Sequence, residues 1–282
     1  MAGEGASHAL AFACDAVVSN VDDAGDLLQN IEAAPLAAMV LVQLLRITEG
    51  LEISRALGVE SLAYATLQSG AEFRRWLAQS ARPAAPEQRE AGPPVVLERQ
   101  GSHLRVSLNR PARRNALSVE MRDALVEALE LVAADPSITS VTLSGEGKCF
   151  SAGGDLAEFG SAPDAALAHA VRSVRSVPAL LAACAERLTF RIHGAAIGAG
   201  AEMAAFGRRV EATPDAFFQL PEIRYGLIPG SGGCVSIPRR IGRLRTAYLA
   251  LSARRLDARA AQTWGLVDAV TQPATAASVA QA

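Results

Sequence analysis

GAAIGAGAEM, the stretch from Gly194 to Met203, decides the fold and carries the first sign of chemistry in this chain. Its glycines, at positions 194, 198 and 200, lie just before or within the start of a predicted helix. The unpaired N–H groups and the positive dipole end of such a helix start favour an anion. Close packing of a helix through small residues explains the same glycines, so the stretch alone leaves both interpretations open.

Two glutamates stand in apolar, glycine-punctuated segments, where a solvated surface carboxylate is unexpected. Glu202 lies within the first stretch, and Glu222 lies within QLPEIRYGLIPGSGG, from Gln219 to Gly233. A carboxylate in such surroundings is expensive to desolvate, so it indicates a partner, a raised pKa or a catalytic task. For Glu222 considered alone, helix capping explains the residue as well as catalysis does. The two glutamates together indicate acid/base chemistry.

A third glycine-rich stretch is GEGKCFSAGGDL, from Gly145 to Leu156. It leaves a predicted strand, turns at Gly153 and Gly154, and meets Asp155, a residue type that caps helices. Its backbone amides suit an anion, although an ordinary tight turn is the better explanation for this stretch by itself.

Composition limits the classes of partner. The chain has 282 residues, of which 50% are hydrophobic, enough for a substantial core, and a net charge of −2. A nucleic-acid partner would require a clustered basic face, which this balance does not support. Lys148 is the only lysine, so an anionic ligand such as a phosphate must be met by guanidinium groups, backbone amides or helix ends.

The cysteines indicate neither a metal site nor a disulfide framework. Cys14, Cys149, Cys184 and Cys234 lack CxxC spacing, so we expect reduced thiols, no metal and a cytoplasmic location. The apolar run from Pro35 to Leu45 is too short to span a bilayer, and no membrane partner is expected.

The segment 82–94 is the predicted domain boundary, because its four prolines disfavour helix and strand interiors. Before it, apolar residues recur at helical spacing, which predicts a helical module over 1–81 with two or three packed helices. After it, over 95–282, strand and helix patterns alternate. The predicted fold class is therefore α/β with a helical module.

Five segments, in this order and at these distances, resemble the enoyl-CoA hydratase/isomerase (crotonase) family over about Val95 to Val270. They are the three stretches above together with LNRPARRNALS, from Leu108 to Ser118, and LSARRLDARAAQTWGLVDAV, from Leu251 to Val270. The resemblance implies a crotonase-like spiral of repeated ββα units.

The resemblance also implies roles. The N–H groups of Gly154 and Ala199 would form an oxyanion hole for a thioester carbonyl, whose developing enolate charge fixed donors stabilise. Glu202 would activate water for attack at C3, and Glu222 would deliver a proton to C2. Members that only move a double bond commonly lack the first glutamate, so the presence of both favours an enoyl-CoA hydratase.

For coenzyme A, the resemblance implies a site along the segment 110–118, with Arg113 and Arg114 as candidates for its phosphates. No cofactor is implied beyond coenzyme A as part of the acyl-CoA substrate. The resemblance also implies a homo-oligomer, either a trimer or a dimer of trimers. The remaining residues implied in binding are Ala116, Leu117, Ala152, Gly153, Asp155, Leu156 and Gly198.

The chain departs from the family pattern after Val270, where family members continue into helices that cover the acyl pocket. Two N-terminal segments, 34–46 and 60–79, are similar to those helices. We therefore hypothesise a circular permutation of the terminal helical module to the front, the alternative being an unrelated helical domain. The loop from Ala157 to Val177, with Phe159 as a lid residue, would help to set acyl specificity.

Three functions are compatible with these residues. The first is hydration of an enoyl-CoA. The second is related acyl-CoA chemistry in the same pocket, namely double-bond isomerisation, thioester hydrolysis or decarboxylation, since a fold does not fix a reaction. The third is a non-catalytic coenzyme A-binding or assembly subunit.

Overall fold

Three ranges of the chain, 13–18, 22–80 and 90–271, are described by the computed structural model. Most of the predicted linker, 82–94, and the segment after 271 lie outside these ranges. The start of the predicted α/β region at residue 95 coincides with the first strand.

The described part of the N-terminal region forms four α-helices rather than the two or three predicted. They are α1 (Gly25–Ala33), α2 (Pro35–Thr48), α3 (Ile53–Gln68) and α4 (Ala71–Gln79). The extra breaks have local causes. Pro35 starts a new helix directly after Ala34, since a first-turn residue needs no N–H, and Gly70 separates α3 from α4.

Within the described ranges, no single helix is long and apolar enough to cross a bilayer. Helices α1 and α2 meet the requirement of length and composition only as a pair, and their axes differ by 109°. Leu41, Leu44 and Leu45 of α2 are buried inside the protein.

Six strands form the larger sheet, in the order β1-β2-β3-β4-β6-β9. The first pair is an antiparallel hairpin, and every later pair is parallel. The strands are β1 (Val95–Gln100), β2 (His103–Leu108), β3 (Ser140–Gly145), β4 (Leu188–Ile192), β6 (Arg209–Ala212) and β9 (Ala269–Val270).

A smaller sheet contains β5 (Ala195–Ile197), β7 (Phe217–Gln219) and β8 (Leu256–Asp257). Two isolated parallel β-bridges extend this sheet toward earlier parts of the α/β region. One joins Ser151 to Ala196, and the other joins Leu117 to Gly154. From β4 to β7 the chain alternates between the larger and the smaller sheet. Each turn of this path is a strand, a second strand and a helix, which is the repeated ββα unit predicted.

Seven further helices lie between and after the strands: α5 (Val119–Ala134), α6 (Ala165–Val174), α7 (Val177–Cys184), α8 (Ala199–Ala204), α9 (Gly233–Ile241), α10 (Arg243–Ser252) and α11 (Ala258–Trp264). The expectation that Asp155 caps a helix was wrong. Its side chain accepts a hydrogen bond from the N–H of Ala157 within a turn, and the next helix begins at Ala165, with Asp164 as its cap.

The N-terminal helices share one hydrophobic core with the α/β region. Leu41 of α2 and Phe73 of α4 belong to the same buried cluster as Leu125, Phe190 and Ile237. Each such side chain contributes roughly 1.5–3 kcal/mol by burial, so the helices are integral to the fold. This placement is one that the permutation hypothesis requires, and the hypothesis itself stays a prediction.

Candidate active site

A cavity of about 410 Å³ is lined by residues of the helices α3, α6 and α8 and of the loop after Gly154. Its size is typical of small-molecule sites, which occupy roughly 300–1,000 Å³. The four residues predicted for catalysis and for the oxyanion hole line it together: Gly154, Ala199, Glu202 and Glu222.

The topology explains why residues so far apart in sequence meet here. Strands β5 and β7 are parallel neighbours, with Ile197 paired to Gln219. The residues that follow these strands therefore emerge at the same edge of the sheet, where open α/β folds bind ligands. Ala199 opens α8 directly after β5, and Glu222 opens a 3₁₀ turn after β7.

The N–H groups of Gly154 and Ala199 are available for a ligand. Among the described residues, neither group donates a hydrogen bond within the protein. Gly153 holds their two turns in contact, with a φ of +89°. A Cβ atom there would lie 2.6 Å from the carbonyl oxygen of Ile197, so a larger residue would force the turns apart.

Glu202 is buried and held by backbone amides. Its Oε2 accepts hydrogen bonds from the N–H of Ser231 at 2.7 Å and of Gly233 at 2.8 Å. Burial raises the pKa of Glu202 to about 7, and these two hydrogen bonds oppose the rise. At neutral pH the side chain can therefore exist in either protonation state.

Glu222 has a different environment. It is also buried, but its Oε2 has no hydrogen-bond partner among the described residues. Burial, and then the nearby charge of Glu202, raise the pKa of Glu222 well above its usual range. The environment of this carboxyl group thus favours the protonated form.

The predicted coenzyme A segment is tied to the turn that carries Gly154. The N–H of Leu117 donates to the carbonyl of Gly153 at 2.7 Å, and the N–H of Ala152 donates to the carbonyl of Arg114 at 2.9 Å. Arg113 forms an ion pair with Asp155, so its guanidinium already has a carboxylate partner, whereas the side chain of Arg114 is exposed.

Only part of the predicted binding set reaches the cavity. Leu117 and Asp155 line it, while the other members contribute to the surrounding turns. Those that do not line it are Arg113, Arg114, Ala116, Ala152, Gly153, Leu156 and Gly198.

The comparison with known proteins decides the family. The protein-family model described as "Enoyl-CoA hydratase/isomerase" matches residues 98–280, which are more than half of the chain. The chain belongs to the enoyl-CoA hydratase/isomerase family. The predicted crotonase-like fold is thereby confirmed, and acyl-CoA chemistry is the chemistry of the family.

Relatives within the enoyl-CoA hydratase/isomerase family have more than one activity in their names. The 2,3-dehydroadipyl-CoA hydratase of Escherichia coli is 37% identical over 176 residues, which cover 62% of this chain and 68% of the relative. The 1,2-epoxyphenylacetyl-CoA isomerase of the same organism is 36% identical over 181 residues, covering 62% and 69%. The chain thus spans about two thirds of the length of these relatives.

Solved structures of the family agree with the fold. An enoyl-CoA hydratase of Mycobacterium smegmatis matches with a TM-score of 0.60 and 32% identity over 64% of this chain and 71% of that chain. An enoyl-CoA hydratase/carnithine racemase of Magnetospirillum magneticum matches with a TM-score of 0.61 and 29% identity over 67% and 73%.

Sequence reasoning missed several residues at the cavity. Tyr64 and Gln68 of α3 and Arg172 of α6 line one side, with the Arg172 guanidinium 4.9 Å from the centre of the Tyr64 ring and bonded to Gln68. Glu60, also on α3, is buried behind them. The sequence did offer a signal for Glu60, because it follows Leu57 by three residues and so lies on an apolar stripe of the predicted helix.

An aromatic cluster joins helix α4 to the predicted acyl loop. Phe159, which lines the cavity, has its ring centre 6.0 Å from that of Trp76 and 6.5 Å from that of Phe73. Tyr225, in the turn that carries Glu222, has its ring centre 4.9 Å from that of Trp76 and 6.2 Å from that of Phe159. The N-terminal helices therefore help to form the wall of this site.

The described residues contain no group of three His, Cys, Asp or Glu side chains arranged to hold a metal ion. Cys149, Cys184 and Cys234 are buried thiols.

Proposed function

We propose that this protein is an enoyl-CoA hydratase, which adds water across the 2,3 double bond of an enoyl-CoA thioester. The observation that carries the proposal is the convergence of Glu202, Glu222 and the backbone of Gly154 and Ala199 on one cavity. Acyl-CoA chemistry follows from the family, and the choice of hydration rests on the two carboxylates.

The two amides account for activation of the thioester. Attack of water at C3 moves electrons toward the carbonyl oxygen, which becomes an enolate oxygen. The N–H groups of Gly154 and Ala199 have no acceptor within the described protein, so they are free to donate to that oxygen. Removing one donor of this kind typically costs about 10²- to 10³-fold in rate.

The two glutamates account for the proton transfers. Ionised Glu202 takes a proton from water as the oxygen bonds to C3, and protonated Glu222 gives its proton to C2. The product gains one hydroxyl and one hydrogen, and the proton now on Glu202 returns to Glu222 before the next turnover. A pKa of about 7 for Glu202 and a strongly raised pKa for Glu222 suit these opposite roles.

Coenzyme A is bound as part of the substrate. We place its pantetheine and phosphate groups along the backbone of Ala116 and Leu117, with the exposed Arg114 as the guanidinium able to meet a phosphate. Assembly into a trimer or a dimer of trimers and a cytoplasmic location stay predictions. Light scattering of the purified protein decides the oligomer.

Incubation with crotonyl-CoA tests the proposed function. We expect loss of the conjugated enone absorbance without release of free thiol, together with formation of 3-hydroxybutyryl-CoA by mass spectrometry. Glu202→Gln and Glu222→Gln should each lower the rate by about 10²-fold or more while the fold is retained.

Other outcomes separate the alternative reactions. Free thiol indicates thioester hydrolysis, and a moved double bond in a longer enoyl-CoA indicates isomerisation. Carbon dioxide release from a carboxyacyl-CoA indicates decarboxylation. Tight binding without turnover of any acyl-CoA indicates a non-catalytic subunit. Near-normal hydration by either glutamine variant removes that glutamate from the mechanism.

A further inference from the structure

Glu60 is a third buried carboxylate beside the site, and it comes from the N-terminal helix α3. Its side chain is almost fully buried, at 2% exposure. Oε1 accepts a hydrogen bond from the N–H of Gly232 at 2.7 Å, and Oε2 accepts one from the N–H of Cys234 at 2.9 Å. Both oxygens of this carboxylate are therefore occupied by the turn that starts α9.

The same turn holds Glu202. The N–H groups of Ser231 and Gly233 bind Glu202, while those of Gly232 and Cys234 bind Glu60. Four successive amides thus alternate between two carboxylates from different parts of the chain. The turn is also tightly packed, because a Cβ atom at position 233 would lie 2.5 Å from Cγ of Glu202.

We propose that Glu60 is a positioning residue for the reaction: it fixes the 231–234 turn so that two of its amides hold Glu202 in place against the substrate. The inference rests on the proposed role of Glu202 as the general base. It also makes helix α3, far from the glycine-rich stretches in sequence, a part of the catalytic apparatus.

The local charges are consistent with this role. Both oxygens of Glu60 face N–H donors at the positive end of α9, which favours a carboxylate. Burial and the charge of Glu202 raise the pKa of Glu60, while the two hydrogen bonds and Arg172 of α6 oppose the rise. The other titratable groups close enough to interact with Glu60 are Tyr64, Glu222 and Cys234.

Substitution Glu60→Gln disturbs the arrangement in which successive amides of the 231–234 turn bind Glu202 and Glu60 alternately. A glutamine amide has one acceptor oxygen, so one of the two N–H groups of the turn would face an NH₂ donor. The turn must then shift, and Glu202 with it. Because misplacement of a catalytic group by about 1 Å can cost about 10²-fold in rate, we expect kcat for crotonyl-CoA to fall about 10- to 100-fold, with little change in KM.

Glu72 provides a matched control. It is also a buried glutamate of the N-terminal helices whose two oxygens each accept a backbone N–H, from Leu36 at 2.8 Å and Ala37 at 3.0 Å. These amides begin α2 and do not belong to the 231–234 turn. Glu72→Gln should therefore lower the melting temperature by a similar amount and leave kcat within about 2-fold, since a surviving native fold retains the site.

A double-mutant cycle separates a positioning role from a purely structural one. If Glu60 acts through Glu202, Glu60→Gln costs little further rate in a Glu202→Gln background. It should also displace the pH midpoint of kcat. Equal kcat losses in Glu60→Gln and Glu72→Gln, or a full additional loss in the Glu202→Gln background, would overturn the proposal. Should the glutamine variant not fold, Glu60→Asp, which keeps the charge and shortens the reach, takes its place in the cycle.

A second measurement needs no turnover. The amide resonances of Ser231 and Gly233 report the titration of Glu202 by NMR, and their midpoint should move in Glu60→Gln but not in Glu72→Gln. An unchanged midpoint in both variants contradicts the positioning role. If the wild-type protein does not hydrate enoyl-CoA but the midpoint moves, the proposed function fails while the connection from Glu60 to Glu202 stands.

Discussion

Gly198 stands so close to Glu222 that a Cβ atom at position 198 would lie 2.4 Å from Oε1 of the carboxylate. The turn that presents the N–H of Ala199 and the side chain proposed as the acid therefore occupy adjoining space. A φ of +48° at Gly198 adds a second requirement for glycine. The geometry of the oxyanion donor and that of the acid depend on the same residue.

Gly198→Ala should consequently displace Glu222 and strain the turn. We expect hydration to fall by about 10²-fold or more, the range associated with a positioned proton donor. Gly101→Ala is the matched control, because Gly101 has a φ of +60° and nothing within 4 Å of its virtual Cβ. Steady-state kinetics of both variants decide the point, and equal activities would show that the contact at 198 is unimportant.

The pH dependence of kcat/KM should be bell-shaped. The rising limb reflects ionisation of Glu202, whose pKa is about 7, and the falling limb reflects loss of the proton from Glu222, whose pKa is raised well above its usual range. Because the two carboxyl groups interact, the apparent pKa values of the two limbs describe the pair and not either residue alone. Glu202→Gln should remove the rising limb from its residual activity. If kcat/KM does not change between about pH 5 and pH 9, Glu202 is not the general base and Glu222 is not the general acid.

Stability should fall as pH rises. Glu202 binds its proton more tightly in the folded protein, where its pKa is about 7, than in the unfolded chain, where a glutamate has its ordinary pKa of 4.5. Its favourable contribution is complete below about pH 4.5 and is lost as pH rises through about 7, because the unfolded chain releases the proton first. The slope approaches about 1.4 kcal/mol per pH unit for one group.

Urea unfolding across this range measures the slope. Glu202→Gln should flatten it, while Glu186→Gln, at a side chain that is 86% exposed, should not. A slope that is unchanged in Glu202→Gln would mean that this carboxyl group titrates as it does in the unfolded chain.

The two neighbouring arginines should behave differently. Arg113 is paired with the buried Asp155, so Arg113→Ala should destabilise the turn by about 1.5–3 kcal/mol, a range typical of hydrogen bonds to charged groups, and raise KM. Arg114 is exposed, so Arg114→Ala should raise KM and weaken its salt dependence without a change in stability. Thermal unfolding combined with KM at low and high salt compares them. Identical behaviour of the two variants would contradict the assignment.

The sequence was most informative where backbone geometry demands particular residues. Gly153 and Gly198 have positive φ values and sit against other backbone or a carboxylate, so their spacing indicated the turns of the site. Glu202 and Glu222 stood out in the sequence because a carboxylate in an apolar segment is costly to desolvate. The alternation of strands after residue 95 followed from the periodicity of buried side chains.

Partners far apart in sequence were harder to predict. Glu60 binds the amide of Gly232, 172 positions away, and backbone amides leave no side-chain signature. Arg113 was one of two candidates for a phosphate contact, and its ion pair with Asp155, 42 positions later, left no sign in the sequence. The number of helices was underestimated because Pro35 separates α1 from α2 and Gly70 separates α3 from α4.

A crystal structure of the protein with a bound, slowly turned over enoyl-CoA analogue tests whether the two amides and the two glutamates act on one thioester. We expect the thioester oxygen about 2.7–3.1 Å from the nitrogens of Gly154 and Ala199, with Glu202 and Glu222 on the same face of C3 and C2. A thioester bound outside this cavity, or carboxylates on opposite faces of the double bond, would contradict it.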